Sequence, residues 1–310
     1  MRVIVVGLGV QGQKRRRIAG EDIVALVDPV HPDADHRDIA DVPLDRFDAA
    51  LLCIPDAPKL GMIERLLSHG KHVLVEKPLF AANEDRLRTL QKLAEARGAV
   101  CYTAYNHRFE PHIVGARDLI RSGALGRIYR ARFFYGNGTA RDVRNSDWRD
   151  TGAGVLPDLG SHLLDMTLFL FGALPNDMRV WAARRFENRS FDHVICGADG
   201  DLLLEFEMSL LSWRNHFVAE IYGEFGSANI SSLCKWGPSS LTIHRRVLPS
   251  GRPTEECRTL VEPDPTWAAE YAHFKALCVA GSGGNLPNDI LINRCLQALT
   301  VAAERAAPTS

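Results

Sequence analysis

Short continuous apolar runs recur along the first third of the chain, at residues 3–6, 23–27, 48–54, 73–75 and 99–103. Runs without polar alternation are expected of strands covered on both faces, as in a parallel sheet. Between them lie stretches with a helical period. One is near residues 58–67, and another runs from Asn83, a candidate N-cap, to Arg97, with Gly98 as its stop. Strands alternating with helices of these lengths specify an α/β fold with a doubly wound parallel sheet. Residues 29–47 carry Pro29, Pro32 and Pro43 among acids and histidines. They show no sustained helical period, so the second crossover helix is expected to be short or absent.

Past residue 107 the pattern changes. Residues 127–135 alternate as a half-exposed strand would, and further strands are predicted over 202–208, 218–222 and 241–247. Gly223-Glu224-Phe225-Gly226-Ser227 reads as a hairpin turn. A helix is predicted from Pro157 to Phe171, stopped at Gly172, and closing helices over 267–279 and 288–305.

With 310 residues there is room for two domains, and 46% hydrophobic with 24% charged residues is the make-up of an ordinary globular protein. With a formal charge of -1, no basic surface advertises nucleic acid or anionic membrane as a partner, and neither is expected. The one basic run, Lys14-Arg15-Arg16-Arg17, falls at the start of a predicted helix and reads as a solvated face. The seven cysteines (53, 101, 196, 234, 257, 278 and 295) form no CxxC, which points to free thiols in a reducing compartment. Met1 to Val6 runs straight into glycines and reads as a strand, not a signal peptide, and no apolar run reaches membrane-spanning length. A cytoplasmic location is expected. The histidines show no metal-ligand spacing, so no metal site is expected.

Three stretches carry chemistry. Directly after the first strand comes Gly7-Leu8-Gly9-Val10-Gln11-Gly12, a G-x-G-x-x-G turn. Gly7 permits the tight turn, Gly9 lets a pyrophosphate approach the backbone, and Gly12 lets the following helix pack close. The helix N-terminus beyond offers N–H groups and a positive dipole end to phosphates. The second strand ends in Asp28, at the distance where a ribose-binding acid is expected; its alternative reading is a turn residue before Pro29. A carboxylate there accepts from both ribose hydroxyls and repels a 2'-phosphate, which favours NAD over NADP. The fourth strand runs into Glu76-Lys77-Pro78, which puts a cation at the carboxyl edge of the sheet; Pro78 keeps Lys77 extended. A lone Lys-Pro would be read as a surface lysine. On the predicted helix from Pro157, Asp158, His162 and Asp165 are spaced i, i+4, i+7 and share one face among apolar neighbours. Taken alone, Asp158 could cap the helix and His162 could be a core histidine, with Asp165 orienting His162. Arg141, Arg144, Trp148 and Arg149 lie in a polar loop just before; they could contact substrate hydroxyls or a phosphate, but read mainly as solvated loop residues.

With these residues in hand, the chain resembles the glucose-fructose oxidoreductase, inositol dehydrogenase and rhizopine-catabolism family, Gfo/Idh/MocA. The likeness continues through Ala104-Tyr105-Asn106-His107-Arg108-Phe109, Ser122-Gly123-Ala124-Leu125-Gly126-Arg127-Ile128 and the glycine-rich stretch Gly152 to Asp165. It implies an N-terminal Rossmann NAD(P)-binding domain over 1–107. It further implies an α+β substrate and oligomerisation domain over 108–310, with an open-faced, mostly antiparallel sheet. Lys77, Asp158 and His162 are implied to face the substrate. The implied cofactor contacts are Gly7, Gly9, Val10, Gln11, Gly12, Asp28, Ile54, Pro55, Glu76, Lys77 and Asn106, with Asn106 near the nicotinamide. One departure is Ile54-Pro55-Asp56-Ala57-Pro58-Lys59, where the family pattern more often has Thr-Pro-Asn and a histidine at the place of Lys59.

The implied activity is hydride transfer between NAD(P) and a hydroxyl or keto carbon of a sugar, nucleotide sugar or cyclitol, by a homo-oligomer. His162 is suited to proton transfer near neutral pH, Lys77 to stabilising a developing alkoxide and Asp158 to positioning substrate, with the roles of Lys77 and His162 open to exchange. Two other readings stay open. One is an NAD-retaining glycosidase or lyase working by transient oxidation; the other is a non-catalytic NAD-binding regulator.

Overall fold

The computed structural model describes residues 1–146 and 149–307. They group into two compact units: Met1–Asn106 with Thr266–Asn293, and His107–Pro265 with the chain from Arg294 onward.

The first unit is built on five strands, β1 (Val3–Val6), β2 (Ile23–Val27), β3 (Ala49–Leu52), β4 (His72–Glu76) and β5 (Cys101–Ala104), in the order β2-β1-β3-β4-β5. Every pairing is parallel. The apolar runs supply both faces of the sheet, because successive side chains point to opposite sides. Ile4, Val6, Ala50, Leu52, Val73 and Val75 pack with Ile63, Leu66 and Leu67 of one helix and Leu87, Leu90 and Ala94 of another. Val3, Val5, Ala49, Leu51, Leu74 and Tyr102 form the core on the other side. The helices are α1 (Val10–Ala19), α2 (Asp56–Ser68) and α3 (Glu84–Arg97). The Asn83 side chain caps α3 by accepting from Asp85 N at 2.9 Å, and Gly98, at φ 58°, ends it. The second crossover helix is absent. Two single turns, Ile39–Asp41 and Leu44–Arg46, take its place, and Ile39, Val42 and Phe47 fill the sheet face it would have covered. The chain moves from β1 outward to β2, then crosses to β3 on the other side of β1. The carboxyl ends of β1 and β3 therefore form a topological switch point.

The C-terminal part does not fold wholly with the second unit, as a boundary at 107/108 would have it. The helix Thr266–Ala280 contributes Tyr271 and Phe274 to one core of the parallel sheet, and Leu286 and Ile290 enter the other. The side-chain amide of Asn285 also pairs with the open edge of β5. Its Oδ1 accepts from Thr103 N at 2.6 Å and its Nδ2 donates to Thr103 O at 2.8 Å. Asn293 does the same for Ala81 N and O, at 3.1 and 3.0 Å. Backbone groups of a buried edge need partners, and these asparagines supply them. The basic run is also corrected, because Arg15 is not solvated: it is 1% exposed.

The second unit carries an eight-stranded sheet made of β6 (Ile128–Gly136), β7 (Arg179–Arg184), β8 (His193–Asp199), β9 (Leu203–Ser209), β10 (His216–Gly223), β11 (Gly226–Ser231), β12 (Ser239–Arg245) and β13 (Thr254–Leu260). Their order is β13-β12-β11-β10-β6-β9-β8-β7, with β6–β9 the one parallel pairing. β6, β9, β10 and β12 match predicted strands, and β10 and β11 make the predicted hairpin. β7, β8, β11 and β13 were not predicted. β13 is exposed along almost its whole length and β11 is built of small and polar residues, so neither shows an alternation of apolar positions. One face of the sheet buries Ala131, Phe133, Tyr135, Leu204, Phe206, Phe217 and Ile221. The opposite face presents Arg130 paired with Glu205 at 2.7 Å, and Arg132 near Glu207 and Glu220 at 3.4 and 3.5 Å. The helices of this unit include α4 (Pro111–Arg121), α5 (Ala140–Arg144) and α6 (Ser161–Phe171). α6 is entered through a wider, π-type turn over Leu156–Gly160 and ends at Gly172, φ 81°.

Leu51, fully buried at the centre of β3, tests the parallel core. Leu51→Ala should lower unfolding free energy by about 2–5 kcal/mol in urea denaturation, from lost transfer energy and a cavity between packed layers.

Candidate functional site

In the first unit the implied cofactor residues all lie at or just beyond the carboxyl ends of the strands, at the turn after β1 and in the segments after β2 to β5. Gly7 has φ 88°, and a Cβ there would meet Cys53 O at 2.3 Å and Ile54 Cγ2 at 3.1 Å. A glycine is therefore required where the ends of β1 and β3 come together. A Cβ on Gly12 would sit 1.8 Å from Gly7 O, so α1 approaches the turn as closely as a glycine allows. At Gly9 the Cβ position is open, with nothing within 4 Å. The first turn of α1, with Val10 and Gln11, carries no acidic side chain. Asp28 closes the arrangement. Its Oδ2 accepts from Leu8 N at 2.7 Å, and its Oδ1 accepts from Val30 N at 2.9 Å and His31 N at 2.8 Å. Burial works against the charge of this carboxyl, but those three N–H donors outweigh it and hold Asp28 below the usual carboxylate range. A tight turn, open space over Gly9, a helix N-terminus and a fixed carboxylate fit a dinucleotide.

The stretch Glu76-Lys77-Pro78 is fixed from two helices. From α1, Arg15 Nε donates to Glu76 Oε1 at 2.7 Å, while its Nη2 donates to Glu270 Oε2 at 2.7 Å. The guanidinium lies 4.3 Å from the centre of the Trp267 ring. Burial alone would weaken the proton affinity of Arg15, but Glu270 and Glu76 reverse this and keep it charged. From α2, the ammonium of Lys59, 3% exposed, donates to Asp56 Oδ1 at 2.6 Å, Glu76 O at 2.9 Å and Pro78 O at 3.2 Å. An ammonium has three donors, and all three are used. The backbone on both sides of Lys77 is thus tied to Lys59, the residue that departs from the family pattern. The Lys77-Pro78 bond is cis. Asn106, buried just after β5, donates from Nδ2 to Thr266 Oγ1 at 2.8 Å.

In the second unit, Asp158 on the π-type turn pairs with Arg149 at 3.9 Å, and its side chain is 40% exposed. His162, 7% exposed, stacks on His107 with ring centres 4.0 Å apart and planes 21° from parallel. Tyr135 stands beside both rings, at 6.0 and 5.5 Å. Asp165 differs from expectation. Both its oxygens accept from Arg108 Nε, at 2.9 and 2.7 Å, and Oδ1 also accepts from Nη2 at 2.6 Å, so it serves this ion pair and does not act as an orienter of His162. Burial pushes the Asp165 carboxyl up, against the pull of Arg108. The stretch expected to be a polar loop begins as α5, from which Arg144 reaches Glu187; Trp148 lies outside the described residues.

Sequence reasoning missed Lys235 altogether. In the single turn Cys234–Trp236 its Nζ lies 3.1 Å from His107 Nε2 and donates to the Tyr135 hydroxyl at 3.2 Å. Burial pulls its proton affinity down, against the carboxylates of Asp264, Glu110 and Asp158, to a pKa of about 8. No pattern marks one lysine in a short turn, so only the fold reveals it.

Two measurements check this geometry. Gly12→Ala should lower the melting temperature and weaken NAD binding at least tenfold in calorimetry, because the added methyl pushes α1 off the turn. For Lys235, the folded state releases the proton near pH 8, whereas the ordinary value is 10.5, so between these values the unfolded chain binds more protons. The penalty of the buried ammonium is present below pH 8 and fades as pH rises. Thermal denaturation should therefore show wild type gaining stability relative to Lys235→Met between pH 8 and about 10.

Comparison with known proteins agrees with the geometry. Residues 1–105 match the family model described as oxidoreductase family, NAD-binding Rossmann fold, and residues 113–229 match the GFO/IDH/MocA C-terminal domain. The chain is 34% identical over 244 residues to dTDP-3,4-didehydro-2,6-dideoxy-alpha-D-glucose 3-reductase of Streptomyces violaceoruber, covering 76% of this chain and 68% of that one. It is 29% identical to inositol 2-dehydrogenase of Rhizobium meliloti over 137 residues, 44% of this chain and 40% of that one. Against several other curated relatives the match spans only about a third to a half of their length, 34%, 29% and 54% in three cases. Among solved structures, levoglucosan dehydrogenase in complex with NADH superposes with a TM-score of 0.83 at 19% identity, covering 99% of this chain and 98% of that one, which shows a shared fold. The chain belongs to the Gfo/Idh/MocA oxidoreductase family, and its first domain is that family's NAD-binding Rossmann domain.

Proposed function

We propose that this protein is an NAD-dependent dehydrogenase that moves a hydride between the nicotinamide and a hydroxyl or keto carbon of a sugar, nucleotide sugar or cyclitol. The observation that carries the proposal is the fixed stretch Glu76-Lys77-Pro78, held by Arg15 and Lys59 beside a complete glycine turn and Asp28. Relatives are named for reduction of a dTDP-linked didehydro-dideoxy sugar, which offers keto carbons, and for oxidation of inositol, a polyhydroxylated ring.

NAD, when bound, supplies the two-electron acceptor or donor. The chain does the rest. The turn at Gly7 to Gly12 and the start of α1 receive the pyrophosphate, and the Asp28 carboxylate accepts from the ribose hydroxyls while repelling a 2'-phosphate. Ile54, Pro55 and Asn106 complete the cofactor contacts. Lys77 steadies the oxygen as negative charge develops on it, Asp158 holds a neighbouring hydroxyl, and His162 takes the hydroxyl proton during oxidation and returns it during reduction. The seven cysteines are free thiols, which supports a cytoplasmic setting, and the laddered polar face of the eight-stranded sheet supports a homo-oligomer.

The test pairs binding with turnover. Lys77→Met should bind NAD as wild type does in calorimetry yet lose about 10²–10⁴-fold in NADH formation with whichever member of a sugar and cyclitol panel the wild type oxidises. Turnover by the variant at the wild-type rate would refute the assignment. Product formed by wild type without net NADH would replace dehydrogenation by an NAD-retaining reaction.

A further inference from the structure

Lys235 and His107 stand outside the roles assigned above, yet His107 stacks directly on the imidazole of His162 and Lys235 stands behind His107. At neutral pH the ammonium of Lys235 has donors and no acceptor, so at 3.1 Å it donates to His107 Nε2. This fixes His107 as the neutral tautomer with its proton on Nδ1, because protonating Nε2 would set two cations at hydrogen-bond distance. His162 lies flat on that neutral ring, 4.0 Å away. A fixed positive charge behind the stack opposes a second one within it.

We propose that Lys235, acting through His107, is a positioning residue that keeps His162 in its proton-accepting form. The proposal rests on the reading of His162 as the base. It deepens that reading by naming what holds the base ready.

The other charged and titratable groups around the stack fit this role. Tyr135, on β6, accepts from Lys235 and so orients the ammonium. Asp165, beneath on α6, is neutralised by Arg108, and Asp158 faces Arg149. At the start of α4, buried Glu110 accepts at Oε2 from Cys234 N at 3.2 Å and from the Cys234 thiol at 2.7 Å, which fixes a carboxylate behind the turn that carries Lys235. Burial and Glu110 together push the Cys234 thiol up, so it stays protonated and donates. Asp264 lies near the same sulfur, at 3.9 Å. With a pKa of about 8, Lys235 is still mostly charged at pH 7. Without it, the negative charge of Glu110 and Asp264 behind the stack would no longer be offset by the Lys235 ammonium and would favour a proton on His162.

The test needs no substrate. The histidine ring C–H signals of the full chain are titrated by NMR with NAD present, and His162 is identified by the signal lost in His162→Asn. Lys235→Met should raise the His162 midpoint by about 0.5–1 pH unit, from loss of a nearby like charge. Lys235→Gln, which keeps a donor without the charge, should give the same rise, and Lys235→Arg should leave the midpoint at its wild-type value. A midpoint unmoved in both uncharged variants, or moved equally by arginine, overturns the proposal. Turnover separates the two layers. If His162→Asn retains the acid limb of kcat/KM on the oxidised panel sugar, the base assignment falls and the role of Lys235 falls with it. If that limb disappears in His162→Asn while the midpoint in Lys235→Met stays put, only the role of Lys235 falls.

Discussion

One buried guanidinium organises the cofactor half of this protein. Arg15 sits on the helix that follows the glycine turn, and it joins that helix to the end of β4 through Glu76 and to the returning C-terminal helix through Glu270. An isolated charge in that position would be prohibitive, and removing one partner of such a group typically costs about 3–5 kcal/mol. The arrangement is therefore close to all-or-none: the glycine turn, the lysine stretch and the segment 266–280 hold their positions together. Lys59 repeats the device from the opposite side of the sheet. Its three hydrogen bonds fix the carbonyls on either side of Lys77. Catalysis that depends on a lysine at a strand end needs that lysine's backbone not to wander, and two buried cations meet the need.

The second unit uses a different device. A π-type turn feeds α6, the helix stacks His162 on His107, and Arg108 satisfies the one carboxylate buried deep on that helix. Two imidazoles, an ammonium and a phenol lie together, with the carboxylates of Glu110 and Asp264 set behind them. Lys235 meets the His107 ring and the Tyr135 hydroxyl at once, and His107 in turn carries the His162 ring, so the four side chains hold one another in place. That is the physical basis for reading the cluster as a prepared proton acceptor and not as a set of incidental core residues.

The parts of the molecule legible in the sequence are those written locally. The apolar runs of β1 to β5, the cap at Asn83, the stop at Gly98 and the spacing from the glycine turn to Asp28 lie within short windows of chain, and the missing helix at 29–47 shows in its prolines. The parts that were not legible depend on partners far away. Arg15 and Glu270 are 255 residues apart, and Asn285 meets Thr103 across 182. Nothing in a run of four basic residues distinguishes the one that is buried. β13 has no apolar face to announce it, and Asp165 shares a helix face with His162 but meets Arg108 from outside that helix. Lys235 has no spacing at all to mark it.

The central claim is that a hydride passes between a carbinol carbon and the nicotinamide. It is tested most directly by incubating the protein and NAD with sugars and cyclitols deuterated at carbon and locating the label in the recovered cofactor. The account predicts a single deuterium at nicotinamide C4. Recovered cofactor that carries no label from any member of the panel, although NAD binds saturably, would contradict it.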